Sequence, residues 1–160
     1  MNIFVLSEDP EESARMQCDK HVVKMILESG QMLCAAHNPG EAPWKRTHFN
    51  HPCTVWTRSS KANYEWLAVH GLELCAEYTR RYGRRHAAED VLLWCAENIP
   101  QNLPDVGLTP FVVAIKDKRY HLGDVVSSYR AYYLGDKARF AKWRHCDPPE
   151  WWVSGLASTP

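Results

Sequence analysis

A mainly α fold is predicted for this chain: a single compact helical domain with long loops. Three observations predict it. Apolar residues recur at helical spacing in several stretches, while alternation at period two is nearly absent. Clusters of Pro and Gly separate those stretches into loops. The length of 160 residues suits one domain around one core.

The elements follow in order. "NIFVL" after Met1 is an apolar opening, read as a brief strand or an extended arm packed on the core. "SEDPEESARMQC" starts a helix: Asp9 can cap it, Pro10 suits its first turn, and Glu12 stands three residues after the cap. A strongly apolar helix is expected from about Asp19 to Ala36. "HNPGEAPWKRTHFNHPC" reads as a loop, because no period survives in it. The next helix, "SSKANYEWLAVHGLELCAEYTRRYG", has Ser59 or Ser60 as its cap and Gly83 as its stop. Trp66, Leu67, Leu72, Leu74 and Cys75 are its expected buried face. "AAEDVLLWCAEN" is another helix, and "IPQNLPDVGLTPF" is a loop with three prolines. "GDVVSSYRAYYLGDKARFAKW" forms one helix broken near Gly135, or two short ones. From about residue 147 the chain ends as an aromatic plug around Trp151 and Trp152 and a loose tail. There is no internal repeat and no low-complexity segment.

Formal net charge is zero, so overall charge points to no polyanion. The distribution is less even. Residues 44–86 carry eight bases against three acids, and so do residues 111–146. Residues 1–43 and 87–110 are acidic. Folding can either join the two basic blocks into one face or disperse them over the surface. No apolar run is long enough to span a bilayer, and the acidic start is unlike a signal peptide, so a cytoplasmic protein without a membrane partner is expected. The six cysteines form no CxxC pair and read as reduced thiols. "HFNHPC" gathers His48, His51 and Cys53, but no second half with ligand spacing follows, so no metal and no cofactor is expected. A monomer is expected.

The stretch "CDKHVVKMILESGQML" carries the chemistry. On a wheel of 100° per residue, His21 and Glu28 point the same way within about 20°, and Lys24 lies between them. The stripe is narrow and holds an acid/base group, an amine and a carboxylate. Read alone, it fits the solvated face of a half-buried helix; read with the rest of the chain, it fits the wall of an active site.

Three features together resemble the pyrimidine-dimer DNA glycosylase (phage endonuclease V-like) family: the spacing D-x-H-x6-E at Asp19, His21 and Glu28; "NHP" at Asn50, His51 and Pro52, followed by a long helix ending "EYTRRYG"; and a C-terminal segment rich in Tyr, Trp and Lys. The resemblance implies a compact helical fold and a chemistry. The amine at the chain's N-terminus attacks the sugar of a damaged nucleotide, a Schiff base forms, the base leaves, and elimination can then cut the strand. It implies Met1 as the nucleophile, Glu28 as the residue that supports the sugar and moves protons, and His21 beside the DNA. It makes DNA, duplex or single-stranded, the expected partner.

The chemistry of these groups agrees. α-Amino groups titrate near 7.7–8.0, so a useful fraction is free base at neutral pH. Glycosidic cleavage builds positive charge on the sugar, which a carboxylate stabilises. Asn50, His51, Arg119, Arg130, Lys137, Arg139 and Lys142, with Tyr132 and Trp143 among them, are the expected nucleic-acid contacts: bases for phosphates, rings to fill the gap left by a displaced base. The alternative for the rings is core packing under Lys and Arg stems.

Three departures from the family pattern stand out. Arginines flank the family's glutamate where this chain has Leu27 and Gln31. The acidic turn "SEDPEE" lengthens the path from Met1 to His21. Asn2 is large, so Met1 is expected to be retained. Lys24 is a second candidate nucleophile, with an ion pair to Glu28 as its alternative role. Glu28 activating water is a third route, releasing the base alone. Other enzymes on this fold that modify or cleave a base or nucleotide, and a non-catalytic nucleic-acid-binding module, are the competing readings.

Overall fold

The computed structural model describes residues 1–158 and is helical, with no strand among them. Helix α1 spans Pro10–Met16, α2 Asp19–Cys34, α3 Pro52–Arg58, α4 Lys61–Tyr82 and α5 Glu89–Glu97. A 3-10 turn at Lys118–Tyr120 precedes α6, Val125–Tyr132, which runs into a π-helical turn, Tyr133–Lys137; α7 spans Glu150–Ala157. Helix α4 is the central post, with α1, α2, α3 and α5 packed on it.

The opening segment is an extended arm. Ile3, Phe4, Val5 and Leu6 are buried, and side chains rather than a neighbouring strand satisfy the arm's backbone. Ser13 Oγ donates to the Phe4 carbonyl (3.0 Å) and accepts from the Leu6 N–H (3.0 Å). Gln17 Nε2 donates to the Phe4 carbonyl (2.8 Å), and Arg130 Nε donates to the Leu6 carbonyl (2.9 Å). The arm is thereby threaded through the core, with Met1 and Asn2 emerging beside α2.

Asp9 caps α1 by accepting from the N–H groups of Glu11 and Glu12. Glu12 does not complete a reciprocal box; its carboxylate accepts from Ser7 Oγ. Helix α2 stops at Cys34, two residues before the expected end. Ser60, not Ser59, caps α4, and Gly83 ends it with φ 70°, a left-handed conformation that a Cβ would strain. Leu72 is only half-buried, while Trp66, Leu67, Leu74 and Cys75 are in the core. The expected loop at 37–53 ends early. His51 caps α3 by accepting from the Cys53 N–H (3.1 Å) through Nδ1, with Pro52 in the first turn. Pro52 is a helix-start signal that lies inside "NHPC". Two further corrections concern the C-terminal third. Gly135 does not break a helix but sits within the π turn, and the expected loose tail is helical through Ala157. Thr159 and Pro160 lie outside the described residues. The aromatic plug is present: Trp152 is buried against Tyr133 and Trp143.

Candidate active site

A cavity of about 500 Å³ opens where the arm, α2 and the C-terminal segments meet. One wall is Met1, Asn2 and Phe4 with His21, Lys24, Met25 and Glu28 of α2. The other is Lys116, Asp117, Tyr120, Tyr132, Asp136, Lys137 and Phe140.

The stripe on α2 is not a solvated face. His21 and Glu28 are 5% and 6% exposed, and the exposed residues on this helix are Lys20, Val23, Lys24 and Leu27. A buried carboxylate needs partners, and Glu28 has three. Its Oε1 lies 3.4 Å from the Met1 amine and accepts from the Asn2 N–H at 3.0 Å; its Oε2 lies 3.9 Å from Lys24 Nζ. Lys24 is two-thirds exposed, as expected for an ion-pair partner reaching in from outside. The longer path from Met1 to His21 is absorbed by α1, and the arm folds back far enough to deliver the amine.

Asn2 fixes the arm's end. Its Nδ2 donates to the Ala114 carbonyl (3.0 Å), and its Oδ1 accepts from Tyr129 OH (2.6 Å) and from the Ile3 N–H (2.8 Å). Thr54 Oγ1 on α3 donates to Met1 Sδ at 3.5 Å. The "NHP" segment therefore starts the short helix that seats the N-terminus. His51 feels that charge: burial lowers its pKa first, and the Met1 amine and His48 lower it further. Asn50 is exposed on the same loop and outside the cavity.

His21 is held on every side. Phe4 stacks on its ring at 4.0 Å, Phe140 meets it edge-on at 5.7 Å, and Nδ1 lies 2.6 Å from Tyr133 OH. Burial pushes its pKa down to about 3, with Lys137, Lys24 and Lys20 adding to the shift, so the ring is neutral at pH 7.

Asp19, the first residue of the D-x-H-x6-E spacing, anchors rather than reacts. Its carboxylate accepts from the Arg144 N–H (3.1 Å) and from Arg81 Nη1 (3.2 Å). Arg81, near the end of α4, is buried with Glu77 at 3.0 Å and donates also to the carbonyls of Gln17 and Arg15. The basic end of the long helix thus clamps the start of the helix that carries His21 and Glu28.

The expected nucleic-acid contacts divide. Tyr132 and Lys137 line the cavity, with Lys137 Nζ 4.5 Å from the Tyr132 ring centre. Arg139 and Lys142 are exposed outside it. Arg119 is exposed and paired with Asp117 at 2.6 Å. Arg130 and Trp143 are engaged in tertiary contacts: Arg130 holds the arm and lies over Trp151, and Trp143 Nε1 donates to the Met16 carbonyl (3.0 Å). For Trp143 the packing alternative is the one realised. Lys20, Lys116 and Tyr120 are site residues that sequence reasoning missed. Lys20 was legible, one residue before His21 and one turn before Lys24. The others depend on how the long loop after α5 folds back.

Among the described residues no group of three His, Cys, Asp or Glu side chains is placed to hold a metal ion, and no helix is long and apolar enough to cross a membrane. The cysteines are free thiols.

The helical fold thus sets an N-terminal amine beside a buried helix carboxylate in a lysine-rich cavity. The family model for pyrimidine dimer DNA glycosylases matches residues 1–90, more than half of the chain, and the chain belongs to that family. No curated protein and no solved structure matches it. The match covers the arm and α1 to α4, hence one wall of the cavity, and ends before the other.

Proposed function

We propose that this chain is a DNA glycosylase with lyase activity that removes a modified pyrimidine through the Met1 amine. The observation that carries the reading is the Met1 nitrogen 3.4 Å from Glu28 Oε1 in the wall of the cavity. In this reading the amine's lone pair forms a bond to C1′, and the glycosidic bond breaks with its electrons going to the departing base, which takes up a proton. The sugar ring opens as O4′ is protonated, leaving an imine between C1′ and Met1. Loss of a C2′ proton then expels the 3′ phosphate. Glu28 stabilises the cationic sugar and carries the protons. Phosphates are held by Lys20, Lys24 and Lys116 at the cavity mouth and by Lys137 inside it, and Tyr120, Tyr132 and Phe140 face the base.

A second reading keeps the fold and changes the substrate to a single modified base or nucleotide. The observation favouring it is Leu27, 44% exposed where the family pattern has an arginine.

Borohydride trapping tests both. The purified chain is mixed with abasic, UV-irradiated and undamaged duplexes, reduced, and weighed intact and as peptides. An adduct on Met1 with abasic and irradiated DNA is the expected result. An adduct on Lys24 moves the nucleophile. Base release without any adduct selects the water route. Neither adduct nor release on any duplex overturns the glycosylase reading in favour of the second.

A further inference from the structure

The geometry points to Tyr133 as a positioning residue: it holds His21 as an uncharged donor whose Nε2–H is aimed at an oxygen of the bound nucleotide. The inference rests on the cavity being the nucleotide site proposed above. The Cys18 N–H points at the Tyr133 oxygen at 3.3 Å, and a backbone N–H can only donate. The Tyr133 oxygen accepts there; the Cys18 thiol also interacts with it, but sulfur is a weak acceptor, so the hydroxyl proton goes to His21 Nδ1, 2.6 Å away. A nitrogen that accepts is unprotonated, which leaves the ring proton of neutral His21 on Nε2.

Neighbouring rings hold the plane of the imidazole, and a flip within that plane would forfeit the contact between Nδ1 and Tyr133. Phe4 lies parallel to it at 4.0 Å and 18°, and Phe140 and Tyr133 meet it edge-on. Among the described residues no group pairs with Nε2, and His21 lines the cavity. The charged groups near the ring are Lys20 and Lys24 on its own helix and Lys137 on the π turn. All are cations, so they oppose a second proton as burial does. Tyr133 is also kept neutral: it is fully buried, and burial holds its pKa well above the usual phenol range. The device is therefore a fixed dipole, not a proton relay, and proton transfer is left to Glu28.

The backbone is shaped for this contact. Tyr133 opens the π-helical turn that continues α6, and such turns are rare and frequent at functional sites. The same turn carries Lys137 and Asp136 into the cavity wall. Without the hydroxyl, either tautomer becomes accessible. The one with a proton on Nδ1 turns the Nε2 lone pair toward the substrate oxygen.

Nitrogen-15 spectra of the histidine rings in the full-length protein test the lock without substrate, with His21→Gln supplying the assignment. The expected pattern at pH 7 is an unprotonated Nδ1 and a protonated Nε2 in one sharp set of correlations. A proton on Nδ1, or a doubly protonated ring at that pH, overturns the inference. In Tyr133→Phe the set should change to a mixture or to the other tautomer; an unchanged pattern overturns Tyr133 as its cause. On whichever DNA the unaltered chain cleaves, Tyr133→Phe should lower kcat about tenfold with KM nearly constant. His21→Gln, whose amide nitrogen falls near Nε2, should keep more activity than His21→Asn. Equal rates for Gln and Asn overturn the donor role. A chain inactive on all DNA would defeat the functional reading while the tautomer remained readable.

Discussion

Glu28→Gln separates catalysis from stability at one atom. Gln keeps the volume and keeps an oxygen to accept the Asn2 N–H, 3.0 Å away. What it removes is the negative charge 3.4 Å from the Met1 amine and 3.9 Å from Lys24. At an effective dielectric of about 20, unit charges at the shorter distance attract by about 5 kcal/mol. Desolvating a carboxylate that is 6% exposed offsets most of that gain, because burial costs several kcal/mol per ion. The net loss of stability should therefore be about 1–2 kcal/mol, measurable as a shift in urea midpoint at constant m-value. The chemical step should suffer more. A positioned carboxylate that transfers protons contributes about 10²–10⁴-fold, or about 3–5 kcal/mol of barrier. Single-turnover strand cleavage and borohydride trapping, measured beside denaturation, give both numbers on the same preparation. A variant that cleaves within threefold of the unaltered chain, yet unfolds several kcal/mol more easily, would refute the reasoning and make Glu28 a structural counter-ion to the N-terminus.

Three other outcomes follow from the same contacts. His21 and His70 are buried, with pKa values pushed down to about 3 and about 4, whereas an unfolded histidine titrates near 6.5. The unfolded chain binds more protons below pH 6.5, so stability is full above that value and falls as pH drops toward 4. The slope approaches about 1.4 kcal/mol per pH unit for each ring; equal unfolding free energies at pH 7 and pH 5 would refute it. Arg81→Ala leaves Glu77 and Asp19 without their buried partner and should cost about 3–5 kcal/mol in chemical denaturation. Arg81→Lys should not restore it, because one ammonium cannot serve two carboxylates and two carbonyls at once. At Gly135 a new Cβ would stand 2.6 Å from Tyr120 Cε1, so Gly135→Ala should push Tyr120 off the cavity wall. The expected result is a KM raised several-fold with kcat and thermal midpoint little changed.

The parts of the site that were legible in the sequence are those written in local spacing. His21 and Glu28 share a helix face because seven residues nearly close two turns, and no tertiary information is needed to see it. What spacing did not reveal is which side of α2 is inside. Val23 and Leu27 are 38% and 44% exposed while His21 and Glu28 are buried on the same side as Val22, Met25 and Ile26, so these four positions depart from the usual amphipathic order. Polar groups take the inner face here because partners wait for them: Tyr133 for the imidazole, the Met1 amine and the Asn2 N–H for the carboxylate. Those partners lie 112 and about 26 residues away in sequence, so no periodicity could announce them. The same limit explains Trp143 and Arg130. Composition marks them as nucleic-acid contacts, yet each meets the segment around the arm and α1 across more than 120 residues and is used up there.

The two walls of the cavity differ in kind. The wall within residues 1–90 holds the amine, the carboxylate and the imidazole, and it is braced from behind by Asn2, Asp19 and Arg81. Its geometry depends on several hydrogen bonds at once, so a change in any one group disturbs the rest. The opposite wall presents Lys116, Tyr120, Tyr132 and Lys137, whose interactions are stacking and charge without fixed partners of that stringency. Bases stack on any aromatic face, and a phosphate accepts any well-placed lysine. A family that keeps the first wall can therefore hold one chemistry constant while the second wall changes what is presented to it. In this chain α2 has Leu27 where the family pattern has an arginine, and it carries Lys24 and Lys20 one and two turns earlier, with Lys116 and Lys137 across the cavity. That arrangement shifts positive charge away from the C-terminal half of α2 and toward the cavity mouth.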